Sequence, residues 1–142
     1  MKPLFLLLSI QCTAAPAQGI IPEKYAPIVL HYCAETGIPV YIAVGIITEE
    51  SGWNELARNK IAGGLMQLSF SNHAEFRDKY NNGREFSEFD PVANVRIGLR
   101  YYAHLYHWLG TFRKACYFYA TGYSTHIKKW VRKIVDRELE GV

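Results

Sequence analysis

Residues 40–54 read VYIAVGIITEESGWN, and this stretch carries the clearest structural signal in the chain. Its first eight positions are apolar on every side of a helix, a pattern typical of a helix buried inside a protein core. A short buried strand would also suit the β-branched residues, but the length of the run favours a helix. We therefore predict a core helix from Val40 to about Glu50, followed by a loop over residues 52–63.

Helix signals also surround this segment on both sides. Pro22 occupies the place of a first-turn proline, residues 25–35 have helix-like apolar spacing, and Gly37 suits the residue that closes a helix. Towards the C-terminus four further helices are predicted: one capped by Ser71 or Asn72 and ending at Tyr80, one from Pro91 to about Leu109 with Asp90 as its cap, one from Phe112 to Ala120, and one from Ser124 to Leu139. The pattern indicates a single all-α domain.

The first 17 residues have the features of an export signal. A positive start at Lys2 precedes an apolar run over residues 3–10, and residues 15–17 (APA) form a small-residue cleavage site. The alternative is a short buried N-terminal helix. Cys12 is a candidate for lipidation, but residues 9–11 (SIQ) form a poor lipobox, so we favour simple secretion. The prediction is a signal peptide over residues 1–17 and a mature domain over residues 18–142, exported to the periplasm or cell envelope.

The composition limits the classes of partner. The chain has 142 residues, enough for one domain, and 49% of them are hydrophobic, so it can bury a core. A net charge of +3 gives mild attraction to an anionic polymer, whereas nucleic-acid binding calls for a dense basic stripe. Among the five histidines only His104 and His107 are spaced like ligands, and such a pair is more often a surface patch. We predict a monomer with no metal, no cofactor and no nucleic-acid partner.

Two cysteines, Cys33 and Cys116, remain in the mature domain. An oxidising compartment would allow them to form a disulfide. Each also sits in a predicted helix, where a buried thiol behaves as a small hydrophobic side chain. Their spacing leaves both possibilities open.

The chemistry of the opening stretch centres on Glu50. It ends an apolar helix, where the negative end of the helix dipole and the neighbouring Ile46 and Ile47 both disfavour a charged carboxylate. Such surroundings are expected to raise the pKa of the carboxyl and to suit a glycosidic general acid. A solvated helix end is the alternative. Glu49 points about 100° away around the helix and is expected to face elsewhere.

Three blocks in this chain resemble the catalytic signature of the soluble lytic transglycosylases, a family with a goose-type lysozyme fold. The first is ESGWN at residues 50–54, followed by GLMQ at residues 64–67. The second is the helix that begins at residues 90–91 (DP) and continues with Asn94, Gly98 and Tyr101-Tyr102. The third is FYATG at residues 118–122. The blocks occur in the family's order over residues 40–122, which implies a single helical lysozyme-like domain.

The resemblance implies a lytic transglycosylase that cleaves the β-1,4 bond between N-acetylmuramic acid and N-acetylglucosamine in peptidoglycan strands. Glu50 would first protonate the leaving oxygen and then, as a carboxylate, accept a proton from the muramoyl 6-hydroxyl. That hydroxyl attacks the anomeric carbon and leaves a 1,6-anhydro end. Because the nucleophile is intramolecular, no second acid is required. The matching positions Ser51, Met66, Gln67 and Tyr119 are the implied substrate-side residues.

Two positions depart from the family's pattern. The loop at residues 58–63 (RNKIAG) is about one residue shorter and lacks a serine, whose hydrogen bond Asn59 could replace. Ala120 stands where the family has asparagine. Trp53 is either a sugar-stacking platform or an anchor for its loop, and the second is favoured.

Two other functions are compatible with the sequence. One is a goose-type lysozyme, which hydrolyses the same bond with water. The other is a non-catalytic peptidoglycan-binding component of an envelope-spanning secretion or conjugation machine. The small size and the leader would also suit an accessory enzyme that opens the wall for such a machine.

Overall fold

The computed structural model of the protein describes residues 21–121. The predicted signal peptide, Cys12 and the helix predicted from Ser124 to Leu139 lie outside the described residues. Within residues 21–121, no helix has the length and apolar character needed to cross a membrane.

Five α-helices and one very small hairpin make up the described fold. The helices are α1 (Ala26–Thr36), α2 (Val40–Ser51), α3 (His73–Tyr80), α4 (Pro91–Leu109) and α5 (Phe112–Thr121). Between α2 and α3 lie β1 (Ala62–Gly63) and β2 (Leu68–Ser69), which pair antiparallel, and a 3-10 turn at Phe70–Asn72. The all-α prediction is confirmed, and each predicted helix in this range begins and ends within one residue of the observed bounds.

The helix ends follow local rules that the sequence displays. The carboxylate of Asp90 accepts a hydrogen bond from the backbone N–H of Val92 at 3.0 Å, so it caps α4 as predicted. Gly37 closes α1 in the left-handed region, with φ 74°. Asn72 does lie at the start of α3, but its side chain makes no capping hydrogen bond there.

The core is built around α2 and α4. Ile42, Ile46 and Ile47 of α2 are completely buried, and Leu99 and Tyr102 of α4 lie in the same cluster. Burial of each such aliphatic side chain contributes about 1.5–3 kcal/mol to stability. Both α1 and α5 pack on α4. The end of α2, where Glu50 lies, thus follows directly on completely buried residues of the core.

A second, smaller cluster fixes the hairpin. Leu68 of β2 is buried with Phe76 of α3 and with Ala93 and Ile97 of α4. This contact places the residues of the 64–69 segment against α4, on the side of the molecule that carries Glu50.

The two cysteines are both buried thiols. The sulfur of Cys116 lies 3.0 Å from the hydroxyl of Tyr102, inside the main core. The structure therefore corresponds to the second of the two possibilities left open by the sequence, in which each thiol packs as a small hydrophobic group.

Candidate active site

A pocket of about 310 Å³ lies where the end of α2, the hairpin, α3, α4 and the last turns of α5 meet. Its size falls at the lower end of the range for small-molecule sites. Glu50 is the one charged side chain on the walls of this pocket, among the residues from 21 to 121. The neighbouring Glu49 is exposed and is not part of the wall. The two adjacent acids are therefore separated as the helical geometry predicts.

Glu50 occupies the last turn of α2. The helix closes directly after it, because Gly52 adopts φ 58° and its N–H donates to the carbonyl of Thr48 at 3.0 Å. The hydroxyl of Ser51 donates to the carbonyl of Ile47 at 3.1 Å and so turns back along the helix. Ser51 does not line the pocket and supports the backbone next to Glu50.

The loop that follows α2 is anchored by Trp53. Its ring stacks on Tyr25 with centroids 6.0 Å apart, and its indole N–H donates to the hydroxyl of Thr48 at 3.1 Å. Trp53 is absent from the pocket wall. Its position thus agrees with the loop-anchor interpretation rather than with a sugar-stacking platform in this pocket.

Gln67 lies on the pocket wall, but its amide is engaged with its own loop. The side-chain nitrogen donates to the carbonyls of Ala57 at 3.0 Å and Gly64 at 2.9 Å. The side-chain oxygen accepts from the amide of Asn59 at 3.2 Å. Gln67 also has φ 51°, a left-handed conformation that is uncommon outside glycine and asparagine. Gln67 therefore lines the pocket and also holds its own loop together through these hydrogen bonds.

Asn59 organises the shortened loop from the other side. Its side-chain oxygen accepts hydrogen bonds from the backbone N–H groups of Ile61 and Ala62, both at 2.8 Å. Together with the bond to Gln67, these bonds make Asn59 a polar residue that holds the loop in place. Ala120, the other departure, also lies on the pocket wall.

Met66 differs from the expectation that it lines the cleft. Its side chain is completely buried and packs against Gly98 of α4, where a Cβ would overlap the methionine sulfur. The backbone of Met66 remains important, since its N–H and its carbonyl bond to two different helices. The N–H donates to Asn94 at 2.7 Å, and the carbonyl accepts from Tyr119 at 2.8 Å.

Tyr119 stands on the pocket wall with Glu50. Its hydroxyl donates to the main-chain carbonyl of Met66 at 2.8 Å. Its ring lies against those of Tyr101 and Tyr102, with centroids 5.6 Å and 6.1 Å away. Burial, and then the nearby charge of Glu50, raise the pKa of the Tyr119 phenol well above its usual range. The phenol therefore stays neutral in this site.

Asn94 is the supporting residue whose role the sequence did not reveal. It is completely buried in α4, accepts from the N–H of Met66, and donates to the carbonyls of Gly63 at 3.1 Å and Glu88 at 2.7 Å. The available signal was a lone amide on an otherwise apolar face of the helix, since buried polar groups are normally hydrogen-bonded. Tyr101, from the same helix, is a further wall residue that had not been assigned to the site.

The described residues hold no group of three or more His, Cys, Asp or Glu side chains placed to bind a metal ion. His104 and His107 are both exposed on α4.

Comparison with known proteins identifies the family and the fold. The transglycosylase SLT domain family matches residues 29–138. Among solved structures, the 70-kDa soluble lytic transglycosylase from Escherichia coli superimposes with a TM-score of 0.64 and 24% identity over 83% of this chain. A complex of the 70-kDa soluble lytic transglycosylase with bulgecin A gives 0.65 and 24% over 82%. The chain spans 19% of the length of each of these structures, and the likeness to them is one of fold. No curated protein matches the chain. Because the family match covers most of its length, the chain belongs to the transglycosylase SLT domain family.

Proposed function

We propose that the protein is a peptidoglycan lytic transglycosylase that uses Glu50 as its single acid and base. The observation that carries this proposal is the isolation of Glu50: across residues 21–121, it is the one charged group on the wall of the pocket. Membership of the SLT family supplies the reaction class, and the bond cleaved is the β-1,4 link from N-acetylmuramic acid to N-acetylglucosamine.

A single carboxyl on the described pocket wall favours one mechanism over the other. Most glycosidases need two carboxyl groups that flank the bond, one as acid and one as nucleophile or base. We propose that the nucleophile here is a hydroxyl of the substrate itself, because such a nucleophile needs no second carboxyl. Glu50 donates its proton to the leaving oxygen, and the resulting carboxylate takes the proton of the muramoyl 6-hydroxyl as that oxygen attacks the anomeric carbon. The sugar closes on itself and no water is consumed.

The aromatic wall supports this chemistry. Tyr101 and Tyr119 stand together on the pocket wall that Glu50 shares, and the neutral phenol of Tyr119 adds no charge. Such a wall suits an acid that works by proton transfer to a bound sugar, because the aromatic rings bring no competing charge into the pocket. Asn59, also on the wall, is our proposed hydrogen-bonding contact to the glycan in place of the family's serine.

The substrate places the protein in the cell envelope, so we propose that residues 1–17 are a signal peptide and that residues 18–142 act as a monomer on glycan strands. A task beside an envelope-spanning secretion or conjugation machine stays a prediction from the size of the chain and its leader.

Product analysis tests the proposal. Peptidoglycan sacculi are digested with the purified protein, and the released muropeptides are identified by mass spectrometry. We expect 1,6-anhydromuramoyl ends, which are lighter by one water than hydrolysis products. Reducing muramic acid ends as the main product would establish the goose-type lysozyme alternative. A protein that sediments with sacculi but releases nothing would establish the non-catalytic binding module.

A further inference from the structure

Asn94 is a buried amide that bonds to two other segments of the chain, residues 63–66 and the loop that contains Glu88. Its side-chain oxygen accepts from Met66, and its nitrogen donates to the carbonyls of Gly63 and Glu88. It is fully buried and is not part of the pocket wall. Whatever Asn94 does for the reaction must therefore be done through other residues.

One route from Asn94 to the pocket passes through the backbone of a single residue, Met66. Met66 donates its N–H to Asn94 of α4 and accepts at its carbonyl from Tyr119 of α5. Tyr119 in turn lines the same pocket as Glu50. Two hydrogen bonds thus connect the buried amide to a residue that shares the pocket wall with Glu50.

The loop packs so closely against Asn94 that the two have little room to move relative to each other. Gly64 has φ 84°, and a Cβ at this position would overlap the side-chain nitrogen of Asn94 and the carbonyl oxygen of Glu88. Gln67, three residues later, is tied back to Gly64 by its side chain. The segment from Gly64 to Gln67, whose last residue lines the pocket, therefore packs directly against Asn94.

We infer that Asn94 is a positioning residue for the proposed glycan cleavage. Its hydrogen bond fixes the backbone of Met66, and the Met66 backbone in turn fixes the position of Tyr119 relative to Glu50. The inference rests on the function proposed above. Since Asn94 does not line the pocket, its loss is expected to lower kcat while KM stays nearly the same.

The protein contains a matched control for a purely structural role. Asn81 is also buried, donates to the carbonyl of Arg84 at 2.7 Å, and accepts from Arg96 at 2.9 Å. It is not on the pocket wall. Replacement of either asparagine with alanine removes buried hydrogen bonds, but only Asn94 is connected to Tyr119.

The test compares Asn94→Ala with Asn81→Ala on solubilised glycan strands, at a temperature where thermal melts show both variants folded. We expect kcat to fall roughly tenfold or more for Asn94→Ala, because small displacements of catalytic groups are costly. We expect a change of less than about twofold for Asn81→Ala and a KM near the wild-type value in both. Equal kcat values for the two folded variants would overturn the inference.

Two further variants keep the inference testable if Asn94→Ala fails to fold. Asn94→Thr has nearly the volume of the native side chain and a hydroxyl that can accept from the Met66 N–H, so it is expected to keep a larger part of kcat than Asn94→Ser. When either Asn94 variant is combined with Tyr119→Phe, the fold-loss of kcat should be smaller than the product of the two single-variant losses. The reason is that Asn94 and Tyr119 both bond to the backbone of Met66. Strictly multiplicative losses would contradict the connection.

If the wild-type protein itself is inert, the proposed function falls and this inference with it, whereas an active wild type with unaffected Asn94 variants refutes the inference alone.

Discussion

The hydroxyl of Tyr119 donates to the main-chain carbonyl of Met66 at 2.8 Å, across 53 residues of sequence. This bond joins α5 to the segment between the two short strands. Because the ring of Tyr119 also lies on the wall shared with Glu50, the bond fixes one side of the pocket relative to the other.

The substitution Tyr119→Phe removes this bond and keeps the ring. We expect it to lower the rate of sacculus digestion roughly tenfold, because the ring loses its fixed position beside Glu50. The free energy of unfolding should fall by about 1 kcal/mol, as for one hydrogen bond. The control is Tyr117→Phe, on the same helix but off the pocket wall, which should digest at nearly the wild-type rate. Equal rates and equal melting temperatures for the two variants would exclude Tyr119 from the site.

The substitution Glu50→Gln preserves the shape of the side chain and removes its ionisable proton. Loss of a general acid lowers rates by about 100- to 10,000-fold, so we expect turbidity clearing of sacculi to become almost undetectable. Circular dichroism should show an unchanged helical fold. Glu49→Gln, at the exposed neighbouring position, should retain most of the activity. Substantial clearing by a folded Glu50→Gln protein would remove Glu50 from the proposed role.

Two exposed aliphatic residues of one loop allow a test of the pocket rim. Ile61 is 70% exposed and lines the pocket, whereas Leu56 is 68% exposed and does not. A glycan strand that covers part of Ile61 gains about 25 cal/mol per Å² of apolar surface removed from water. We therefore expect Ile61→Ala to raise KM severalfold with kcat retained, and Leu56→Ala to change neither. Matching KM values for these variants would show that the strand does not cross this rim.

Gly64 and Gly37 separate the effect of backbone conformation from that of close packing. Both have positive φ, 84° and 74°, but a Cβ at Gly37 meets no atom within 4 Å, while one at Gly64 overlaps Asn94 and Glu88. We expect Gly37→Ala to cost about 1–2 kcal/mol of unfolding free energy and Gly64→Ala about 3 kcal/mol or more. Chemical denaturation measures both values. Similar losses would mean that the loop can move away from Asn94.

His73 introduces a pH dependence of stability at the start of α3. Its ring nitrogens lie 2.5 Å from Glu88 and 3.1 Å from Glu85, and the hydrogen bond to Glu88, followed by that to Glu85, raises the pKa of the imidazole above 6.5. Arg77 also bonds to Glu85 at 2.6 Å. Because the folded pKa is the higher one, the stabilisation is complete below pH about 6.5 and is lost as the pH rises through the folded value.

The measurement is the melting temperature of wild type and His73→Gln as a function of pH. The difference should be largest near pH 5.5 and should shrink towards pH 9. The same series on His107→Gln, an exposed histidine of α4, should give a smaller and flatter difference. A melting-temperature difference between wild type and His73→Gln that grows with rising pH would contradict the raised pKa of His73.

Sequence patterns predicted those features that depend on near neighbours. The apolar run of α2, the Asp90 cap and the Gly37 stop each act within a few residues, so they could be located without a structure. The orientation of Met66 could not, because it depends on Gly98 and Asn94, which approach it only after α4 packs beside the hairpin. The partner of the Tyr119 hydroxyl has the same origin. For Met66 and Tyr119 the family pattern indicated residues at or next to the pocket. The direction of the Met66 side chain and the partner of the Tyr119 hydroxyl depend on long-range packing.

The hydrogen bonds of Gln67 determine what happens when a ligand arrives. Its amide already bonds to Ala57, Gly64 and Asn59, so the segment over residues 57–67 is ordered before any sugar enters. Ordering a loop at the moment of association weakens binding, and a loop ordered during folding avoids that loss. We therefore expect a glycan strand to bind without rearrangement of this loop. The main entropy opposing binding should then be the conformational entropy that the strand itself loses.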